Sequence, residues 1–227
     1  MARHHGAECM TMPTSVLLIR HGDYVHRPSP AGEAASDHGL SPWGLLQAKA
    51  LHDRLAITPA LRADLLVCST LPRARQTAEA IAPAWGIDVR PMPALCEWES
   101  GNEALGAEAF AAQFHALPAP ERRHHRFHPG CETVAEFAHR VCTALAELTT
   151  RHAGQGLAIV AHGGVIEVAF QHFLGFGPGL FEGGYPAADQ ASLTLWRHDQ
   201  GRHDAWVQVF ANDTDHLRHA DGSDHLA

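Results

Sequence analysis

The feature that most constrains this chain is the run Ser15-Val16-Leu17-Leu18-Ile19, which stops at Arg20-His21-Gly22. A short apolar, β-branched run bounded in this way reads as a buried strand of a parallel sheet. Its C-terminal end carries Arg and His, and that end of an open α/β sheet is where ligands bind. Histidine can act as a nucleophile, and arginine can clamp a phosphate with two parallel hydrogen bonds. Gly22 allows a sharp exit from the strand.

The rest of the chain alternates strand and helix patterns. Residues 1–13 read as a disordered leader. Residues 23–39, rich in Pro, Gly, Ser and Asp, read as a long loop of the kind that serves as a lid. Ser41-Pro42 opens a helix, with Ser as N-cap and Pro at the first helical position. Leu45, Ala48, Leu51 and Leu55 fall on one face of it. Residues 64–68 form a second strand, and a helix over 72–84 follows, with Arg73 in its first turn. Free backbone N–H groups there favour an anion. Residues 87–89 read as a third strand. Residues 102–130 hold a short helix over 107–114 and a basic segment, and read as a cap over the site. The next helix spans 133–151 and buries Val134, Phe137, Val141, Leu145 and Leu148. A strand over 157–161 ends at His162-Gly163-Gly164, with a helix over 165–174. Strands over 192–196 and 206–210 complete the sheet, and 218–227 are a polar tail. This order predicts a three-layer α/β/α sandwich around a mostly parallel central sheet, one domain over 14–217.

Composition narrows the class. The 17 Lys and Arg against 25 Asp and Glu leave a formal charge of −8, which disfavours a nucleic-acid or membrane-surface partner. Five cysteines without a Cys-x-x-Cys pair favour reduced thiols and a cytoplasmic location. No apolar stretch is long enough to span a membrane. The 19 His are mostly solvated residues whose charge varies steeply near pH 6.5.

The strand ends carry the chemistry. His21 and His162 each close a strand and precede Gly, Arg20 shares one of those ends, and another leads to Arg73. In an open sheet these ends converge. Two Arg can bind the non-bridging oxygens of a phosphoryl group, and a neutral His21 can attack phosphorus in line. The positive charge of the Arg residues lowers the His pKa and keeps the ring neutral. A carboxylic acid must protonate the leaving oxygen and later activate water. Glu97 is placed for this by its loop.

The stretches Leu18-Ile19-Arg20-His21-Gly22, Leu40-Ser41-Pro42-Trp43-Gly44, Ser69-Thr70-Leu71-Pro72-Arg73-Ala74-Arg75-Gln76-Thr77, Leu95-Cys96-Glu97, Gly130-Cys131-Glu132 and Val160-Ala161-His162-Gly163-Gly164 occur in this order. With Asn212-Asp213-Thr214 as a late match, the set resembles the histidine phosphatase superfamily, the phosphoglycerate mutase-like group, from residue 15 to 217. The resemblance implies that His21 is the phosphorylated nucleophile. Arg20, Arg73 and His162, with Gly163, form the phosphate pocket, and Glu97 is the proton donor. It implies no metal and no cofactor, a small phosphorylated substrate, and inorganic phosphate as product. The expected activity is a metal-independent phosphomonoester hydrolase. A mutase-type phosphotransferase and a non-catalytic phospho-ligand binder are the alternatives, and no oligomeric state is legible.

Several positions depart from the family. Asp23-Tyr24 follows Arg-His-Gly, and no Asn occurs between 22 and 40 to contact phosphate, leaving Arg27 or a backbone amide as substitutes. Asn102-Glu103-Ala104 stands where Trp-Glu-Gly is usual, so Glu99 and Glu103 are alternative acids to Glu97. The basic cluster over 122–128 reads either as a solvated face or as a basic wall for an acidic substrate. Its His124, His125 and His128 lack a closed metal-ligand set.

Overall fold

A computed structural model of the chain describes residues 13–27, 36–101, 107–176, 184–199, 201 and 204–218. The strands are β1 (Ser15–Arg20), β2 (Tyr24–Arg27), β3 (Ser36–Leu40), β4 (Leu65–Cys68), β5 (Val89–Pro91), β6 (Gly156–Ala161), β7 (Leu193–Asp199) and β8 (Ala205–Asp213). The helices are α1 (Pro42–Ile57), α2 (Pro72–Ile81), α3 (Ala107–Ala116), α4 (Ala119–Arg122), α5 (Val134–Arg151) and α6 (Gly163–Leu174).

Six strands form one sheet in the order β5-β4-β6-β1-β7-β8. β5, β4, β6 and β1 run parallel, and β7 and β8 are antiparallel additions at one edge. The pleat sorts strand residues to two faces. Val16, Leu18, Leu157 and Ile159 pack on one side with Val141 and Leu145 of α5 and Val165 and Ala169 of α6. Leu17, Ile19, Ala158 and Val160 pack on the other with Leu51 and Leu55 of α1 and Ala74 and Ala78 of α2. Two apolar cores on opposite faces make the three-layer sandwich that the alternation predicts.

The helix starts follow their sequence signals. Ser41 Oγ accepts from Gly44 N at 3.0 Å, and Pro42 opens α1. Thr133 and Glu136 form a reciprocal capping box at the start of α5. All five residues of the predicted α5 stripe are buried.

Three expectations change. The stretch 23–39 is not wholly loop: Tyr24–Arg27 and Ser36–Leu40 pair as an antiparallel ribbon, with 28–35 outside the described residues. That ribbon is fastened to α2 by Leu40 N, which donates to Gln76 Oε1 at 2.7 Å. Leu45 is 57 % exposed, because the buried face of α1 runs through Gly44, Gln47, Ala48, Leu51 and Leu55. The third strand begins at Val89, since the chain reaches the edge of β4 in the register Leu66 opposite Val89. Glu103, nearly all of the leader and residues 219–227 lie outside the described residues. No helix among the described residues is long and apolar enough to cross a membrane.

Candidate active site

Strands β6 and β1 end in step, and the adjacent β4 ends one residue earlier. Arg20 stands opposite Ala161, and Cys68 opposite Val160. The next residues, Ser69, His162 and His21, therefore emerge side by side at the C-terminal edge. Two backbone bonds hold them: His21 N to Ala161 O at 3.0 Å and Ser69 N to Val160 O at 3.0 Å. Gly22 and Gly44 serve a close approach rather than a left-handed backbone. A Cβ on Gly22 would stand 2.9 Å from Gly44 O, and one on Gly44 would overlap the Asp23 carbonyl.

His21 is 3 % exposed. Its Nδ1 donates to Gly22 O at 2.7 Å, which leaves the unprotonated Nε2 to accept from Arg73 Nε at 3.0 Å. Burial, then the positive charges of Arg73 and Arg20, lower its pKa to about 3 against the opposing pull of the Gly22 carbonyl. The ring is neutral at physiological pH, with its Nε2 lone pair directed at a guanidinium.

His162 is fully buried, and its ring centroid lies 5.0 Å from that of His21. Burial and the nearby Arg73 hold its pKa well below the ordinary value. Its Nε2 is 2.8 Å from Ser69 Oγ, while Nδ1 is buried without a partner among the described residues. Arg20 is tied by Nη1 to Ala188 O, and its Nε is likewise buried and unpartnered. Gly163 lies against this guanidinium, where a Cβ would stand 3.7 Å from Arg20 Cζ.

Glu97 reaches the same edge from the loop after β5. Its Oε2 accepts from Gly164 N, in the first turn of α6, at 3.1 Å, and its Oε1 accepts from Trp98 N at 3.0 Å. A Cβ on Gly164 would collide with Oε1. Glu99 is exposed and does not line the neighbouring cavity, so of the two described acids weighed from the sequence, Glu97 is the one at this edge; Glu103 lies outside the described residues.

The supporting residues were hidden from the sequence. Asp37 of β3 accepts from Arg73 Nη1 at 2.9 Å and from Arg73 N at 3.3 Å, orienting that guanidinium. Tyr24 packs edge-on to His21 at 5.3 Å, with Arg73 Cζ 4.5 Å from the ring centroid. Thr77 Oγ1 accepts from Gly22 N at 3.1 Å. Behind Glu97, Arg140 donates to Ala94 O at 2.8 Å and Cys96 O at 3.1 Å, while Glu132 grips it with two bonds of 2.7 Å. Glu132 is thus a clamp on the Glu97 loop. The late stretch has a similar use. Asn212 Nδ2 donates to Asp189 Oδ2 at 2.8 Å and its Oδ1 accepts from Asp189 N at 2.6 Å, fixing the loop whose Ala188 carbonyl holds Arg20.

Two members of the basic cluster are engaged within the cap and with α5. Arg122 donates to Leu117 O and His115 O, and Arg126 pairs with Glu136 at 2.6 Å and bonds Cys131 O. These side chains fasten the cap to itself and to α5. The Arg27 side chain lies outside the described residues.

The chain was compared with known proteins. The family model for the histidine phosphatase superfamily (branch 1) matches residues 16–214. A metal-independent phosphoserine phosphatase of Arabidopsis thaliana is 28% identical over 168 residues, 69% of this chain and 67% of that protein. The uncharacterized phosphatase PhoE of Bacillus subtilis is 26% identical over 167 residues, 74% of this chain and 81% of that protein. The structure of Bacillus stearothermophilus YhfR superposes with a TM-score of 0.69 at 22% identity, covering 90% of this chain and 99% of that one. The family model's match over residues 16–214 shows that the chain belongs to the histidine phosphatase superfamily, and both curated relatives are named as phosphatases.

Proposed function

We propose that the chain is a metal-independent phosphomonoester hydrolase that works through a phosphohistidine on His21. The observation that carries this reading is the Arg73 Nε to His21 Nε2 bond of 3.0 Å with Nδ1 occupied by Gly22 O. It fixes one tautomer, and Nε2 is the nitrogen beside the cation.

The steps follow from the chain's own groups. A phosphate monoester draws Arg73 from His21 Nε2 onto its non-bridging oxygens, while Arg20 Nε and His162 Nδ1 gain the partners they lack. Nε2 attacks phosphorus, a P–N bond forms and the P–O bond to the alcohol breaks. The negative charge on the equatorial oxygens is met by the two guanidiniums and His162. Glu97 in its acid form gives its proton to the departing oxygen. After the alcohol leaves, the Glu97 carboxylate takes a proton from water, the water oxygen attacks phosphorus, and the P–N bond breaks to release inorganic phosphate.

The substrate in this reading is a small phosphorylated molecule, in keeping with the phosphoserine phosphatase named above. Residues 14–217 act as one phosphatase domain in which 102–130 cap the site. The described cysteines are all free, which supports a reducing, cytoplasmic setting. The test is hydrolysis of p-nitrophenyl phosphate in EDTA. Wild type is expected to turn over, and His21→Ala to be inactive. Loss of all wild-type turnover in EDTA, with recovery on adding back a metal, would overturn the reading.

A further inference from the structure

Beside Glu97 lies a cavity of about 470 Å³, a size suited to one small organic group. It opens at the carboxylate that would protonate the leaving oxygen, so it is where the alcohol portion of an ester would sit. This inference rests on the phosphatase reading above.

Five aromatic side chains line it. Trp98 lines it, with the Phe110 ring 5.5 Å and the Phe114 ring 6.1 Å away, one helical turn apart on α3. Phe137 of α5 and Tyr185 add two more faces. Among the described residues that line it, there is no Lys or Arg; Glu97 and Glu167 are its two acids, and the His115 imidazole lines it as well.

Glu167 is the unusual one. Gly163, Gly164 and Glu167 fall on one stripe of α6: Gly163 faces Arg20, Gly164 faces Glu97, and Glu167 follows one turn on. It is half-buried and makes no hydrogen bond or ion pair among the described residues. Neither the proposed chemistry nor the fold uses it. Burial, then the nearby Glu97 charge, raise its pKa to about 7 against the weaker opposing pull of Arg20. Burying a carboxyl without a partner is costly. A cation brought into the cavity would supply that partner, and aromatic faces attract cations as well.

We infer that this cavity selects phosphomonoesters whose alcohol has an apolar or aromatic body carrying an ammonium group, with Glu167 reading the charge. An alcohol bearing a carboxylate meets two acids and no lining Lys or Arg, and is disfavoured. The phosphoryl group itself goes to Arg20 and Arg73, so the discrimination concerns the alcohol alone.

The test compares two aryl esters of one ring: tyramine O-phosphate, which carries an ammonium, and 3-(4-phosphonooxyphenyl)propanoate, which carries a carboxylate. Measured on wild type, kcat/KM should favour the cationic ester by about tenfold or more, given the cost of opposing like charges. Glu167→Gln, nearly the same shape, should cut that ratio to about threefold or less, and Glu167→Lys should invert it. Dissociation constants of the matching uncleavable aryl phosphonates are measured alongside. Equal turnover of both esters, or a preference that survives Glu167→Gln, would overturn the inference and leave the phosphatase reading intact. Turnover of neither ester, with the cationic phosphonate still bound more tightly through Glu167, would overturn the phosphatase reading and sustain the cavity assignment. Absence of preference in both readouts would remove it.

Discussion

Arg73 and His21 are joined by a 3.0 Å hydrogen bond from Nε to Nε2, within a pocket that also lowers the pKa of the histidine to about 3. The bond couples two functions: the guanidinium that would hold a phosphoryl group also marks, and keeps unprotonated, the nitrogen that would attack it. Because burial is the largest cause of the shift, Arg73→Met should raise the His21 pKa only part of the way to 6.5. NMR titration of the ring is the check. In wild type no His21 protonation should be seen between pH 5 and 8, and kcat/KM should show no acid limb from it there.

Gly164→Ala separates stability from activity. The new methyl meets the flexible end of Glu97, which can swing away, and stands 3.3 Å from the buried Phe137 ring, which must give slightly, so the fold should lose about 1 kcal/mol. The displaced carboxylate should lower kcat by about 10- to 100-fold. Thermal unfolding and kinetics on the same variant test both parts.

Glu97→Gln removes the proton donor and keeps an acceptor for only one of the two backbone N–H groups of Gly164 and Trp98, while the Arg140 bonds to the loop remain. For an alkyl ester kcat should fall by about 10²- to 10⁴-fold. For p-nitrophenyl phosphate, whose leaving group needs less proton assistance, the cleavage step should suffer far less. A burst of nitrophenol followed by slow turnover is the expected trace in a stopped-flow measurement.

Asp37→Asn loosens Arg73. Their side chains are only 12% and 10% exposed, with a 2.9 Å ion pair. Breaking a mostly buried pair costs about 3–5 kcal/mol, so the melting temperature should drop. KM should rise more than kcat falls, since Arg73 remains present but is held less well.

Stability should depend on pH in a defined way. His21 and His216, depressed to about 3 and about 4, bind fewer protons in the native state than in the unfolded chain. Their contribution is full above about pH 6.5 and is lost as pH falls from there toward the folded values. His162 and His172 act in the same direction. Glu167, raised to about 7, acts oppositely: its contribution is present below the ordinary 4.5 and is lost as pH rises toward 7. Melting temperature should therefore climb between pH 4 and 6.5, and climb more steeply in Glu167→Gln, as read by calorimetry.

The sequence made the frame of the site readable because strand ends are marked locally. The alternation in Val16 to Ile19 gives two buried faces, and Arg20, His21 and His162 stand where apolar runs break off. What it could not show depends on register between distant segments. Ser69 meets His162 only because β4 and β6 end one residue apart in their pairing. Asp37 sits in a stretch whose turn-forming residues hide the ribbon, and its partner Arg73 is 36 positions away. Glu132 and Arg140 are separated by the first turns of α5, a spacing beyond the helical i,i+4 rule. Glu167 resembles any exposed helix acid in sequence; only the packing of α3 and Trp98 above it makes it a cavity wall. The misplaced Leu45 has a simpler cause: Gly44 and Gln47 take the face toward Asp23, turning the helix away from a purely apolar stripe.

The central claim is a covalent phosphohistidine on His21, and rapid-quench trapping tests it most directly. Wild type and Glu97→Gln are mixed with p-nitrophenyl phosphate in EDTA, quenched in alkali and mapped by mass spectrometry. An alkali-stable, acid-labile phosphoryl group is expected on His21, with more of it in Glu97→Gln, where its hydrolysis is slowed. A phosphoryl group on another residue, or turnover that persists in His21→Ala, would contradict it.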